Sequence, residues 1–183
     1  EKTCNRLYIK GTIMKPKIID NFLDKEHWNT IQECITSNAF TWTFVDTLNY
    51  AQTNDDAYFA HIFYLPTKHH LSPYYDVIKP IMNKIPHDGI LRIKANMYMR
   101  EKTVREHASH IDYDASHLGA IYSINTCNGY TRIGDTKVDS VANRIVFFDP
   151  SQKHASTTCT DQRRRLNINL NLIRLNRSFT SYY

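Results

Sequence analysis

The sequence predicts a mainly β protein with flanking helices, an α+β chain whose core is an antiparallel sandwich or jelly roll. Three observations predict it. The hydrophobic period changes from helical to two near Leu91, a run of short strand-like segments follows, and turn-forming residues separate those segments at even intervals. A chain of 183 residues is long enough to bury one full core, and no internal repeat or linker divides it, so a single domain over 1–183 is expected. Within it, 1–90 reads as a helical lead-in and 91–172 as the β-core.

The first element follows Ile18, Ile19, Phe22 and Leu23. Asp24 is placed to cap a helix in which Trp28, Ile31 and Ile35 recur at helical spacing, with Ser37-Asn38 as its end, so a helix over 24–37 is predicted. A second helix opens at Ser72-Pro73, with Ser as cap and Pro in the first turn. Tyr74, Ile78, Ile81 and Ile85 form its inward face, Pro80 kinks it and Pro86 ends it.

From Leu91 onward Leu91, Ile93, Ala95, Met97 and Met99 fall on one face of a strand, and Arg92, Lys94, Asn96, Tyr98 and Arg100 on the other. Further strands are predicted over 120–125, 130–133, 137–141, 144–148 and 166–172. Asn128-Gly129, Gly134-Asp135 and Asp149-Pro150-Ser151 supply the turns between them.

Composition narrows the functional classes. Hydrophobic residues make up 42% of the chain and no run is low-complexity, as in a globular protein. No segment approaches the roughly 20 apolar residues of a membrane span. The first sixteen residues lack a signal-peptide pattern, so no membrane association and a cytoplasmic location are expected. Cys4, Cys34, Cys127 and Cys159 have no Cys-x-x-Cys spacing, which argues for reduced thiols rather than a zinc site or disulfides. The net charge of +5 would suit nucleic acid, but no basic cluster is interleaved with aromatic residues beyond what the Tyr-rich composition supplies.

The chemistry concentrates at His110-Ile111-Asp112, followed by His154 and then by Arg165 in Arg163-Arg164-Arg165-Leu166-Asn167. On a strand, residues i and i+2 share a side, so His110 and Asp112 can face one metal while Ile111 enters the wall. With His154 they form a two-His, one-carboxylate set, which on Fe(II) leaves positions open for a chelating ligand and O2. His107 and Asp114 compete for places in this set by proximity. His27, His61, His69, His70, His87 and His117 have no such company and read as ordinary surface or core His.

This order of residues resembles the Fe(II)/2-oxoglutarate-dependent dioxygenases. Asn125-Thr126-Cys127-Asn128-Gly129-Tyr130-Thr131 looks like the Asn…Gly-Gly-x-Thr turn of the prolyl-hydroxylase-like branch, and Val141 to Asp149 like the strand pair before the second His. The resemblance covers roughly 91–172 and implies a double-stranded β-helix, the jelly roll with its site between two sheets. It further implies Fe(II), 2-oxoglutarate and O2 as cofactor and cosubstrates, with ascorbate as an accessory reductant.

The distal carboxylate of 2-oxoglutarate would need a buried cation. Arg165 fits best, leading an alternating strand with Asn167 two positions on, and Arg163 is the competitor. Tyr98 and Asn96 resemble cosubstrate contacts of the nucleic-acid-demethylase branch. Ser123 stands where prolyl-hydroxylase-like members often carry a Tyr that binds cosubstrate, which shifts weight to Tyr98. Asn171 stands where the demethylases carry a second Arg, which disfavours that branch.

The resemblance therefore implies hydroxylation of a C–H bond on a peptide or protein side chain such as proline. A small-molecule substrate, a nucleic-acid demethylase and a non-catalytic jelly-roll module remain as alternatives. Segments 40–64 and 100–109 are expected to be substrate loops.

Overall fold

A computed structural model describes residues 15–46, 57–115 and 117–174. Eleven strands and two α-helices are formed there, β1(Lys17–Ile19), α1(Lys25–Thr36), β2(Thr43–Val45), β3(Tyr58–Leu65), β4(His70–Leu71), α2(Lys79–Asn83), β5(Gly89–Met99), β6(Leu118–Ser123), β7(Tyr130–Ile133), β8(Thr136–Asp139), β9(Arg144–Phe148), β10(His154–Ser156) and β11(Arg164–Ile173). They make two antiparallel sheets. The large one runs β1-β9-β6-β11-β5-β3-β2, with β4 paired to β3, and the small one runs β10-β7-β8. This is a jelly roll.

Helix α1 begins where its cap predicts. The Asp24 carboxylate accepts the backbone N–H of His27 at 3.0 Å, satisfying a donor that the first turn leaves open, and Ile31 and Ile35 are buried beneath it. The second helix departs from the expected single kinked helix. Ser72 Oγ does accept the N–H of Tyr74 at 3.0 Å, but the chain makes a 3-10 turn over Tyr75–Ile78 before the short α2. Pro80 is the reason, since it lacks an N–H and its ring would collide with the carbonyl four residues back in a continuous helix.

The lead-in is less helical than predicted. It contributes β1, which pairs with β9, and β2 to β4, of which β3 lies against β5 within the large sheet. The segment 40–64, expected as a substrate loop, is thus partly sheet, and its stretch 47–56 lies outside the described residues. Tyr58-Phe59-Ala60-His61-Ile62-Phe63 carries apolar groups on both faces, so no clean alternation marks it as a strand.

Alternation on β5 and β11 decides where the site sits. One face of each, Ile93, Ala95 and Met97 with Leu166, Ile168, Leu170 and Leu172, joins the main core with Phe22, Ile31, Ile35, Ile78 and Ile81 of the helical layer. The opposite face carries Lys94, Asn96 and Tyr98 beside Asn167 and Asn169, which line a cleft together with residues of the small sheet. A smaller core of Ile121, Ile133, Val138, Val146 and Phe148 closes the space next to it. Gly134, at φ 54, makes the two-residue turn between β7 and β8.

Candidate metal centre

His110 and His154 meet through an isolated antiparallel bridge, each backbone N–H donating to the other's carbonyl at 2.9 Å. The bridge sets the two imidazoles side by side, ring centroids 4.4 Å apart. His110 is therefore held by a single bridge rather than by the regular strand predicted, and Ile111 is 40% exposed instead of entering the wall. The chain then bends, the N–H of Asp112 donating to the carbonyl of Pro150 at 3.1 Å. The carboxylate turns back between the rings, with Asp112 Oδ1 3.8 Å from His110 Nε2 and Oδ2 3.8 Å from His154 Nε2. One donor atom from each residue lies within 4.8 Å of the other two.

Local hydrogen bonds aim these donors. His154 Nδ1 lies 2.9 Å from the carbonyl of Gln152. A carbonyl only accepts, so the proton sits on Nδ1 and the lone pair of Nε2 faces the cleft, the arrangement that backbone carbonyls give to metal-ligating His. Buried and without a hydrogen-bond partner, Nε2 is an orphaned acceptor that a cation would satisfy. His110 Nδ1 approaches the carbonyl of Ala108 at 3.4 Å in the same way. Burial, then the neighbouring charge of His154, lowers His110 to about 4 against a smaller upward pull from Asp112, so its ring is neutral at ordinary pH.

Burial alone would raise the Asp112 carboxyl, but Arg92 foremost, then His154, Lys94 and His110, hold it at about 2. Arg92 donates to Oδ1 at 2.9 Å and Asn169 to Oδ2 at 3.3 Å. Asn169 is itself positioned by Asn171, whose amide donates to its Oδ1 at 2.9 Å, and Asn171 Oδ1 lies 2.8 Å from His117 Nε2. A chain of amides thus runs from His117 to the carboxylate. Sequence reasoning passed over Arg92 and His117 because nothing local to either residue points to Asp112. Their partners are 20 and 54 residues away in sequence.

Arg165 lies behind the cleft wall, against Thr131 and Tyr98. It is 1% exposed, donating to Thr131 Oγ1 at 2.7 Å and to the Thr157 carbonyl at 3.2 Å, with its guanidinium 5.6 Å from the centre of the Tyr98 ring. Among the described residues no acid pairs with it, and its Nε has no hydrogen-bond partner. Gly129 makes room for it, because a Cβ there would stand 2.7 Å from Arg165 Cδ and 2.6 Å from the Thr158 carbonyl oxygen.

The competing arginines point elsewhere. Arg163 is exposed, and Arg164 reaches the Thr36 carbonyl and Met97 sulfur on the helical side of the sheet.

The remaining predicted residues gather in one narrow cleft, lined by Lys94, Asn96, Tyr98, His110, Asp112, Ile121, Thr131, His154, Ser156, Asn167 and Asn169. Asn96 donates to Asn167 Oδ1 at 2.9 Å across the β5–β11 pair. Burial pushes the Tyr98 phenol up to about 12 against the opposing pull of Ser156 and Arg165, so it remains a hydrogen-bond donor. His107 is buried beside Tyr98 with Nδ1 2.8 Å from Ser156 Oγ, and Asp114 is exposed. Neither joins the three-donor group.

Away from the cleft, Cys127, Cys159 and Asp161 also lie close together. Burial keeps the Cys159 thiol protonated up to about 11. Their separation in sequence hid this grouping from a search for Cys-x-x-Cys.

No family model and no curated protein sequence matches the chain. Solved structures do share its fold. A prolyl hydroxylase of Trichoplax adhaerens, solved with a hypoxia inducible factor peptide fragment, is similar with a TM-score of 0.60 at 14% identity, covering 86% of this chain and 83% of that one. The viral collagen prolyl hydroxylase of Paramecium bursaria Chlorella virus-1, solved with 2OG, gives 0.56 at 13% identity, covering 88% and 97%. The non-heme alpha-ketoglutarate-dependent epimerase SnoN of nogalamycin biosynthesis gives 0.58 at 10% identity, covering 85% and 76%. The shared element is the jelly roll, and these proteins carry different reactions on it.

Proposed function

We propose that the chain is an Fe(II)- and 2-oxoglutarate-dependent oxygenase that hydroxylates a C–H bond on a peptide or protein side chain, proline foremost. One observation carries the reading. A buried arginine with no acid to pair with among the described residues lies directly behind Thr131 and Tyr98, two residues lining the same cleft in which two imidazoles and a carboxylate surround a common point. An uncompensated buried cation is costly, and a small dicarboxylate would supply the missing charge.

His110, Asp112 and His154 fit a divalent ion of the iron group, since two imidazoles and one carboxylate leave coordination positions open. Bound there, Fe(II) would supply O2 activation at the expense of 2-oxoglutarate, chemistry no side chain provides. The residues of the chain bind and orient. Arg165 would grip the distal carboxylate of the cosubstrate, with Thr131 fixing the guanidinium and Tyr98 donating a hydrogen bond beside it. Asn96 and Asn167 brace each other across the strands and bound the pocket. Arg92 and Asn169 hold the Asp112 carboxylate in orientation, and His117 with Asn171 hold Asn169. The apolar Ile121 and the two sheets exclude water from the space between.

The prolyl hydroxylases among the similar folds and the Asn125 to Thr131 turn support a peptide substrate over a nucleobase. The test is a substrate screen with Fe(II), 2-oxoglutarate and O2, scored as succinate formed above the uncoupled background and as a gain of one oxygen atom in the mass of a peptide. Demethylation of methylated oligonucleotides with formaldehyde release, and no reaction on any peptide, would overturn the choice of substrate.

A further inference from the structure

Lys94 is the one cation of the cleft that the proposed chemistry leaves without a task. It lines the cleft on β5, two positions before Asn96 and four before Tyr98 on the same face. Its ammonium donates to Tyr58 Oη at 3.1 Å and sits 5.2 Å from the centre of that ring. An ammonium carries three donors, so one bond to Tyr58 leaves two. No acid among the described residues comes within ion-pairing distance of it.

The charge around the cleft is unbalanced. Arg92, Lys94 and Arg165 face it or touch its lining, and Asp112 is the acid they share. Arg92 is engaged by Asp112 and Arg165 would face the distal carboxylate of the cosubstrate, so of the three cations Lys94 is the one that no carboxylate faces.

Register separates Lys94 from the carboxylate that Arg165 would hold. Tyr98 pairs with Arg165 and Lys94 with Asn169, the residue that touches Asp112. Strands advance about 3.3 Å per residue, so Lys94 and Tyr98 are roughly 13 Å apart along β5. A five-carbon diacid held by Arg165 cannot place that same distal carboxylate on Lys94. The ammonium lies close enough to Asp112 and His110 for their charges to act on one another, which places it beside the donor group.

We propose that Lys94 is a specificity-determining residue that receives a carboxylate of the substrate, so that the hydroxylated molecule is an acid. This rests on the oxygenase reading above. The carboxylate can belong to an acidic side chain next to the target residue of a peptide or to a small free acid such as an amino acid. Burial and the charge of Arg92 lower the Lys94 ammonium to about 8, partly offset by Asp112, which leaves it charged near neutrality and ready to gain from an anion.

The experiment uses the full chain loaded with Mn(II) and 2-oxoglutarate without O2, and two matched pairs of probes. One pair is the blocked tripeptide Glu-Pro-Glu against Gln-Pro-Gln, the other free L-proline against prolinamide. Calorimetry should show the acid of at least one pair binding tenfold or more tighter than its amide. That preference should disappear in Lys94→Met and persist in part in Lys94→Arg, while both variants still bind Mn(II) and 2-oxoglutarate. Which pair responds distinguishes a peptide from a free acid.

Absence of an acid preference in both pairs, or a preference undiminished in Lys94→Met, overturns the assignment. Loss of 2-oxoglutarate rather than probe binding in Lys94→Met overturns it too, by making Lys94 a cosubstrate ligand. Failure of the wild-type chain to bind Mn(II) and 2-oxoglutarate at all would instead strike the oxygenase reading on which the proposal rests.

Discussion

Arg165 carries more of the account than any other side chain, because it is buried with no acid to pair with among the described residues. Removing one partner of a buried, hydrogen-bonded charge pair costs about 2–5 kcal/mol, so Arg165→Ala should weaken 2-oxoglutarate binding well over tenfold in calorimetry and leave metal affinity nearly intact. Arg163→Ala, at an exposed position, should change neither. The sequence left these two open, since both spacings from His154 are acceptable, and the strand register of β11 separates them. A second prediction concerns His110. Its folded value near 4 lies below the ordinary 6.5 of an unfolded imidazole, so between those values the unfolded chain binds more protons and stability rises with pH. Asp112 acts in the same direction over a lower range, its contribution being present above 3.8 and lost as pH falls through about 2. The metal-free protein should therefore melt lower near pH ~5 than near pH ~7, and His110→Asn should flatten that slope over the His range. An unchanged slope in the variant would remove His110 from the buried, neutral state described for it.

Elements with a one-sided environment were legible in the sequence and those with two covered faces were not. On β5 and β11 one face meets the helical layer and the other the polar cleft, so apolar and polar residues alternate, and both strands and their inward residues follow from the pattern. Helix α1 was legible through Asp24 and its spacing. β3 was not, because core and cleft neighbours both accept its aromatic residues. β10 was not, because three residues are too few to show a period. The three-donor group was legible as an ordered set of residue types, whereas Arg92, Lys94 and His117 act through partners that only the sheet pairing brings near. One close fit between elements is the turn before β7, where Gly129 passes over Arg165. Overpacking of this kind costs about 1–3 kcal/mol, so Gly129→Ala should lower the melting temperature and weaken 2-oxoglutarate binding together. A variant that melts lower but binds normally would show that Arg165 does not depend on that turn.

On the scale of the whole molecule, the jelly roll supplies two sheets and a polar gap between them, and the residues in the gap supply everything specific. No helix among the described residues is long and apolar enough to cross a membrane. The net charge of +5 is partly drawn into the cleft by Arg92, Lys94 and Arg165, which leaves less of it for an outer surface to offer phosphates. Binding to single- or double-stranded DNA should accordingly be weak at physiological salt. Tight association with a steep salt dependence would contradict that expectation and favour a nucleic-acid substrate. The central claim, that His110, Asp112 and His154 hold a metal on which a dicarboxylate bound by Arg165 completes the site, is tested most directly by anaerobic titration of 2-oxoglutarate with and without Mn(II). One equivalent should bind to the metal-loaded chain, with binding lost when the metal is removed or Asp112 is replaced by Ala. Equal binding of 2-oxoglutarate without metal, or undiminished binding in Asp112→Ala, would contradict it.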